Sequence, residues 1–273
     1  MNFRTSSNKN VSVQGNWRTK RPTIRERTMF MLNNDLLSDV KFVVRRSDGE
    51  SESKQVIPAH KFVLSIGSPV FEAMFYGELA DTRDSIELPD CEYESLLELF
   101  RYMYSDKVNL SGSNVLGVLY VAKKYIVPSL ADRCMRYIKI HLDPSNVFSI
   151  LPAVEKYDEE KNLVDRCWQM IDNHTEAALK SDAFVTIERS LLETVVHRDT
   201  LSISEVELFK GVIRWATKQS QRQGIVADGP QMRKILGERI VKAIRFPLMT
   251  QEEFNSVVQI GRASCRERVY VLV

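Results

Sequence analysis

The chain has little of what secreted, membrane-spanning or zinc-binding proteins carry. Its 273 residues include four scattered cysteines and no CxxC pair. That pattern argues against a disulfide framework or a zinc site and favours a reducing, cytoplasmic compartment. The longest apolar run, Val115 to Ala122 with its glycine counted, is far shorter than the about 20 residues of a membrane span. The first ten residues also lack the apolar stretch of a secretory signal, so we expect no membrane association.

Sequence motifs of catalysis are missing as well. The chain contains no GxGxxG, GxxxxGK[ST], GxSxG or HExxH motif, and its four histidines lie far apart. Cys91, which follows Asp90 at an expected helix start, is either a thiol of lowered pKa or a small core residue. A Cys–His pair formed only on folding would leave no mark in the sequence. We expect neither an enzyme nor a bound cofactor or metal.

The net charge of +2 hides an uneven distribution along the chain. Residues 1–28 carry +6 and the last fourteen residues carry +2, which leaves −6 for residues 29–259. Nucleic-acid affinity comes chiefly from Lys and Arg on phosphates, so an acidic body predicts no nucleic-acid partner. The basic head either contacts an anionic partner or is a solvated tail.

Hydrophobic patterning divides the chain into a disordered basic segment (1–21), an α+β unit (22–142) and an all-α unit (143–258). Short β-branched runs predict strands at 39–44, 54–57 and 85–88, with an Asp48-Gly49 turn between the first two. We expect Pro58 to end the second strand and Pro89-Asp90 to end the third. About five to six helices complete this unit, one of them starting at Ser68-Pro69.

Apolar residues at spacings of three and four predict that the second unit is helical throughout. Two capping boxes, Ser204-x-x-Glu207 and Thr250-x-x-Glu253, mark expected helix starts. An all-helical unit of about 115 residues is an ordinary domain size.

Polar residues inside an apolar stretch are candidates for function. His60 and Lys61 interrupt such a stretch and are either partner contacts or internally satisfied groups, with Asp39 as the expected mate of Lys61. Leu79-Ala80-Asp81 places an apolar side chain beside a carboxylate on an expected loop, which suits a protein contact.

Several motifs, in this order and spacing, resemble those of the BTB (POZ) domain: Ser38–Phe42, Pro58–Leu64, Ser68–Phe71, Met74-Phe75 and Tyr102–Ser105. The second unit resembles a BACK domain through Ile244–Thr250 and Glu253-Phe254. Further segments are most similar to the subgroup that continues into a PHR β-sandwich: Asn16-Trp17, Thr23–Arg27, Asn33-Asn34 and Met74–Ala80. Residues 260–269 look like a translated sequencing-adapter oligonucleotide, so we expect 259–273 to be an artefactual tail that replaces the PHR module.

BTB-BACK proteins commonly dimerise and serve as substrate adaptors of cullin-3 RING ubiquitin ligases. The resemblance therefore implies a non-catalytic homodimer that binds cullin-3 and an unknown protein substrate. Asp81 stands where the family's hydrophobic-x-Glu cullin motif has Glu, which is one methylene longer. By position, the implied cullin-binding residues are Met74, Phe75, Leu79, Asp81 and Tyr104. The implied dimer contacts are Met29, Phe30, Leu32, Asp39 and Lys61.

Three alternatives to a ligase adaptor come from other BTB proteins. A transcriptional regulator would usually carry C₂H₂ zinc fingers, and none is visible in the sequence. A channel tetramerisation domain would accompany a membrane span. A scaffold outside any ligase stays open as the third alternative.

Overall fold

The computed structural model describes residues 17–47, 52–157, 161–224 and 229–255. The chain divides into two compact units, Met1–Ile138 and Lys139–Val273. The expected Asp48-Gly49 turn, the first sixteen residues and the expected artefactual tail (259–273) lie outside the described residues.

A three-stranded sheet forms the β part of the first unit. Its strands are β1 (Val40–Ser47), β2 (Glu52–Ala59) and β3 (Ser85–Glu92), in the order β2-β1-β3. The central strand β1 pairs antiparallel with β2 and parallel with β3. Six helices accompany the sheet: α1 (Ile24–Met31), α2 (Lys61–Gly67), α3 (Pro69–Tyr76), α4 (Tyr93–Ser105), α5 (Val115–Lys124) and α6 (Pro128–His141). The predicted α+β class is confirmed.

Alternation along β1 determines which face of the sheet is covered. Val40, Phe42 and Val44 are buried, as expected for side chains that point to one face of a strand. Phe42 lies opposite Ile57 of β2 and Ile86 of β3, and both of these are also buried. One apolar face therefore runs across all three strands and requires cover by helices.

Aromatic rings supply that cover. The Phe42 ring centroid lies 5.7 Å from that of Phe71 and 5.3 Å from that of Phe100. Phe71 also stacks on Tyr125 at 4.4 Å with an interplanar angle of 6°. Helices α3, α4 and α5, together with the turn after α5, are thus tied to the central strand through one cluster of rings.

Two prolines do not end strands where the sequence predicted. Pro58 lies inside β2, opposite Lys41, because β2 is an edge strand and one missing N–H there need not break a ladder. Strand β3 continues past Pro89 to Glu92. It does so through a register shift, in which Leu88 pairs with Val44 and Glu92 pairs with Arg45.

The segment just before α1 differs from the predicted disordered stretch, 1–21. Residues 17–20 form a turn, and the Trp17 ring stacks on Phe30 with centroids 5.3 Å apart. The Arg21 guanidinium lies 3.7 Å from the Phe30 centroid and donates a hydrogen bond to the Trp17 carbonyl. Trp17 is a single aromatic residue in a polar stretch. Its partner, Phe30, lies thirteen residues further along the chain, so no local pattern in the sequence predicts that Trp17 is ordered.

In the second unit, every regular element within the described residues is helical, which confirms the predicted all-α domain. Phe148 and Phe184 pack with ring centroids 5.2 Å apart, and the Trp215 indole donates to the Ile187 carbonyl at 3.0 Å. The helices are α7 (Val147–Val154), α8 (Lys161–Asn173), α9 (Thr175–Lys180), α10 (Arg189–Val196), α11 (Glu205–Arg222) and α12 (Gly229–Ala243), with short 3₁₀ turns at Phe184–Thr186 and Phe246–Leu248.

A helix begins at each of the three predicted starts, and the expected capping hydrogen bonds form at two of them. Ser68 caps α3 by accepting from the Phe71 N–H at 3.3 Å. Thr250 and Glu253 form the expected reciprocal pair, at 2.8 and 3.2 Å. The Ser204 capping box is wrong, because the Ser204 side chain makes no capping hydrogen bond at the start of α11.

Replacing Phe71 by alanine should destabilise the first unit strongly. The substitution removes a fully buried ring from the cluster around Phe42, and such truncations cost about 3–5 kcal/mol. Amide hydrogen exchange of β1 in the full chain measures the loss. Tyr76→Ala on the same helix is the control, because that ring is exposed and its loss should change the opening free energy by about 0.5 kcal/mol or less. Equal effects of the two variants would contradict the assigned core.

Candidate functional site

The loop after α3 presents one leucine almost completely to solvent. The helix ends where the Gly77 N–H donates to the Ala73 carbonyl at 3.0 Å. A β-carbon at Gly77 would lie 2.4 Å from that carbonyl oxygen, so glycine permits this close approach. The chain then folds back, and the Asp81 N–H donates to the Met74 carbonyl at 2.8 Å. Leu79, at the tip of this loop, is 97% exposed.

Asp81 is held inside the same loop by Arg83. Its carboxylate accepts from Arg83 Nε at 3.0 Å and from Arg83 Nη2 at 2.6 Å, and the Arg83 backbone N–H donates to Oδ1 at 3.0 Å. The hydrogen bonds from Arg83 lower the pKa of Asp81 to about 2. The carboxylate is therefore ionised at neutral pH and braces the loop from within.

The other implied cullin-binding residues are less accessible. Met74 is half-buried. Phe75 is buried, and its ring centroid lies 5.9 Å from that of Phe71. Tyr104 is 3% exposed. The structure thus places Leu79 at the surface and leaves Asp81 half-buried, while Phe75 and Tyr104 belong to the interior.

The Tyr104 hydroxyl is paired with His60. It accepts from the His60 backbone N–H at 3.0 Å and lies 2.7 Å from His60 Nδ1. The Leu36 carbonyl, 2.9 Å from Nε2, can only accept a hydrogen bond, so Nε2 carries the ring proton. Nδ1 is then an acceptor, and the Tyr104 hydroxyl donates to it. Burial raises the pKa of Tyr104, so the phenol stays protonated. His60 is thus internally satisfied, as one of the two interpretations had it.

Asp39 and Lys61 meet in a different way from the predicted charge pair. Asp39 Oδ1 accepts from the Lys61 backbone N–H at 2.7 Å, which satisfies a free donor at the start of α2. The Lys61 ammonium instead lies 5.6 Å from the Phe75 ring centroid. The Asp39 carboxylate therefore caps α2. The predicted ion pair between Asp39 and the Lys61 ammonium is wrong, and the contact is to the Lys61 backbone.

The implied dimer contacts on and just after α1 are half-buried. None of the residues of α1 is fully buried in this unit, and Met29, Phe30 and Leu32 are each partly covered. Thr28 links α1 to the core by donating to the Tyr104 carbonyl at 2.6 Å. Part of the apolar surface of α1 consequently remains open.

Sequence reasoning missed two exposed apolar residues on α2. Phe62 is 68% exposed and Ile66 is 70% exposed, while Leu64 between them is buried. Their spacing of four places both on one face of the helix. That spacing was visible in the sequence, but an apolar residue there reads equally well as core.

The cysteines of the described residues are buried thiols. Cys91, Cys134 and Cys167 are buried and unpaired, and burial raises the pKa of the Cys134 and Cys167 thiols to about 12. Burial also raises the pKa of Cys91. Within these same residues, no group of three His, Cys, Asp or Glu could hold a metal ion, and no helix is long and apolar enough to cross a membrane.

Replacing Tyr104 by phenylalanine should destabilise the first unit by about 1–3 kcal/mol, because the buried His60 N–H and Nδ1 would lose their partner. Hydrogen exchange of the α2 and α4 amides measures this. The control is Tyr120→Phe, whose hydroxyl donates to the exposed Asp90 carboxylate at 3.0 Å. A Tyr104 effect no larger than the Tyr120 effect would contradict the assigned network.

Comparison with known protein families agrees with this architecture. Residues 30–142 match the BTB/POZ domain, and residues 147–259 match the domain described as BTB And C-terminal Kelch (BACK).

Curated relatives align with most of the chain. The chain is 43% identical to human BTB/POZ domain-containing protein 6 over 238 residues, which are 87% of this chain and 43% of that protein. It is 41% identical to human BTB/POZ domain-containing protein 3 over 262 residues, which are 96% of this chain and 49% of that protein. The chain thus spans less than half the length of these relatives. It belongs to the family of proteins in which a BTB/POZ domain is followed by a BACK domain.

Proposed function

We propose that this chain is a homodimeric adaptor that binds cullin-3 through its BTB domain and serves in a cullin-3 RING ubiquitin ligase. BTB-BACK proteins are in general non-catalytic interaction proteins, and the finer assignment to a ligase is our proposal. The buried, unpaired cysteines suit a reducing compartment, and we propose the cytoplasm. The protein substrate would be selected by a part of the relatives that this chain does not cover.

The observation that carries the proposal is the exposure of Leu79. An apolar side chain that is 97% exposed buries little in its own subunit and is available to a pocket on a partner. The loop that holds it is braced by the bonds from Asp81 to Met74 and from Arg83 to Asp81. A braced loop loses less conformational entropy on binding than a free one, which favours its use as a contact.

The charge of the loop supports a polar rim around this contact. Asp81 is ionised and lies beside the guanidinium of Arg83, so a partner meets a paired acid and base next to Leu79. Since Arg83 already neutralises the carboxylate, we expect Leu79 to supply most of the affinity and Asp81 to fix the loop.

Exposed apolar side chains on α1 and α2 support the dimer. Ile24, Phe62 and Ile66 are all exposed in the isolated chain. Monomeric proteins rarely leave large apolar areas open, and a two-fold interface buries the same residues of both copies. This extends the implied contacts at Met29 and Phe30 to the neighbouring helix in sequence.

Replacing Leu79 by glutamate should weaken binding to the N-terminal region of cullin-3 by at least about tenfold, which is 1.4 kcal/mol. The charge would have to be desolvated in an apolar pocket. Titration calorimetry with the full chain measures this. Leu248→Glu is the matched control, because Leu248 is an exposed leucine in the second unit and its change should leave the affinity unaltered.

Two results would count against the cullin assignment. One is unchanged affinity in the Leu79→Glu variant. The other is the absence of binding at about 100 μM by wild-type protein whose folding and dimerisation have been verified.

Replacing both Phe62 and Ile66 by aspartate should convert the dimer to a monomer. Two charges at an apolar interface would each remain partly desolvated, which penalises association. Sedimentation equilibrium gives the mass. Ile140→Asp, another exposed isoleucine, should leave the dimer intact. A wild-type monomer at about 100 μM, or a dimeric double variant, would refute this surface.

A further inference from the structure

A concave surface in the second unit combines a fixed floor with cationic walls. The cavity measures about 520 Å³ and lies where the 3₁₀ turn before α10, the end of α11 and the beginning of α12 meet. Ile187 and the buried Trp215 contribute its apolar floor. Nothing in the adaptor function proposed above uses this cavity.

The floor is held by hydrogen bonds from α11 to the 3₁₀ segment. The Trp215 indole N–H donates to the Ile187 carbonyl at 3.0 Å. The Gln219 amide donates to the Val185 carbonyl at 3.1 Å. Both bonds join side chains of α11 to the backbone of the 3₁₀ segment. These bonds fix the floor of the cavity in place.

Among the described residues that line the cavity, three are cations and one is a carboxylate. Arg189, Arg222 and Lys234 come from three different helices, and Glu188 is the acid. These four side chains sum to a net charge of +2 at neutral pH, and Glu193 lies 3.9 Å from Arg189 Nε. Residues 29–259 together have a net charge of −6. The positive charge of the cavity is therefore opposite in sign to the net charge of this part of the chain.

A glycine in a conformation that other residues avoid makes room for one of these cations. Gly237 interrupts α12 with φ +73° and ψ 165°. A β-carbon at this position would lie 1.7 Å from Arg189 Nη2. The guanidinium thus occupies space that only glycine leaves open, and the break in α12 and the position of Arg189 depend on each other.

The cation from α11 belongs to a row of basic residues. Lys210, Arg214, Lys218 and Arg222 recur every four residues and lie along one side of the helix. Lys210 pairs with Glu207 at 2.6 Å, and Arg214 donates to the Lys180 carbonyl at 2.8 Å. The first two members therefore serve the fold, whereas Arg222 contributes to the cavity.

We propose that this cavity binds an acidic segment of a partner protein, in which Asp or Glu side chains pair with Arg189, Arg222 and Lys234. The charge of the lining complements such a segment, and guanidinium groups bind carboxylates in bidentate geometry. The side-chain amides of Gln223 and Gln231 also line the cavity and match the hydrogen-bonding groups of a peptide backbone.

The same lining is less suited to other anionic partners. Single-stranded nucleic acids bind largely by stacking bases on exposed aromatic rings, and the Trp215 ring of this cavity is buried. Membrane surfaces are bound by apolar side chains that insert between lipids, and Ile187 is buried in the floor.

Fluorescence anisotropy of the full chain with a labelled peptide of alternating glutamate and serine tests the proposal. We expect saturable binding at low salt that weakens as ionic strength rises, and no binding of the same peptide with glutamine in place of glutamate. Arg222→Glu combined with Lys234→Glu should weaken binding at least about tenfold. Lys156→Glu, an exposed lysine outside the lining, is the control for a change of charge and should alter it less than about twofold.

A second variant guards against loss of folding as an explanation. Glu188→Gln removes the carboxylate found among the described lining residues and should tighten binding about two- to threefold, a gain that unfolding cannot produce. No binding of the glutamate peptide below about 1 mM would overturn the proposal, as would equal affinity for the folded double variant. Tighter binding of an oligonucleotide or of phosphatidylserine vesicles than of the peptide would also overturn it.

Discussion

The hydrogen bonds of Tyr104 fix three helices of the BTB domain relative to one another. Its hydroxyl joins the end of α4 to His60 at the start of α2, and its carbonyl accepts from Thr28 of α1. An interior hydroxyl that lacks a partner is costly, so the arrangement tolerates little relative movement. The helices that carry the exposed apolar residues are consequently held by a buried polar group, and the same helices need not bury their outer faces to stay in place.

The loop after α3 uses the same division between support and contact. Phe75 lies in the aromatic cluster and fixes the end of α3, while Asp81 and Arg83 close the loop on itself. These interactions hold the loop in place and leave Leu79 exposed. A side chain exposed to this degree contributes almost nothing to the stability of the fold. The position of Leu79 is instead fixed by the hydrogen bonds of the loop that carries it.

Sequence patterning predicted the domain order, the three strands and the all-helical second unit, because each rests on local periodicity. It failed where the outcome depends on the position of a strand in the sheet. Pro58 is tolerated because β2 lies at an edge, which no local pattern reveals. The hydrogen-bond partners of polar residues could not be predicted from the sequence either. Asp39, for example, accepts from the backbone N–H of Lys61 and does not pair with its ammonium. Tyr104 belongs to one of the sequence motifs that resemble the BTB domain, but only the fold shows that its ring is buried.

The two candidate surfaces of the chain differ in physical character, which bears on how one protein could bind two partners. The surface around Leu79 offers apolar area that is desolvated on contact, an interaction that salt affects little. The cavity between α11 and α12 offers cations whose attraction for an acidic segment weakens as salt screens it. An acidic segment finds few cations at the Leu79 loop, and an apolar ligand finds charged walls at the cavity, so each surface favours a different partner. Because the two surfaces attract ligands by different interactions, each surface can select its own partner regardless of the contact area.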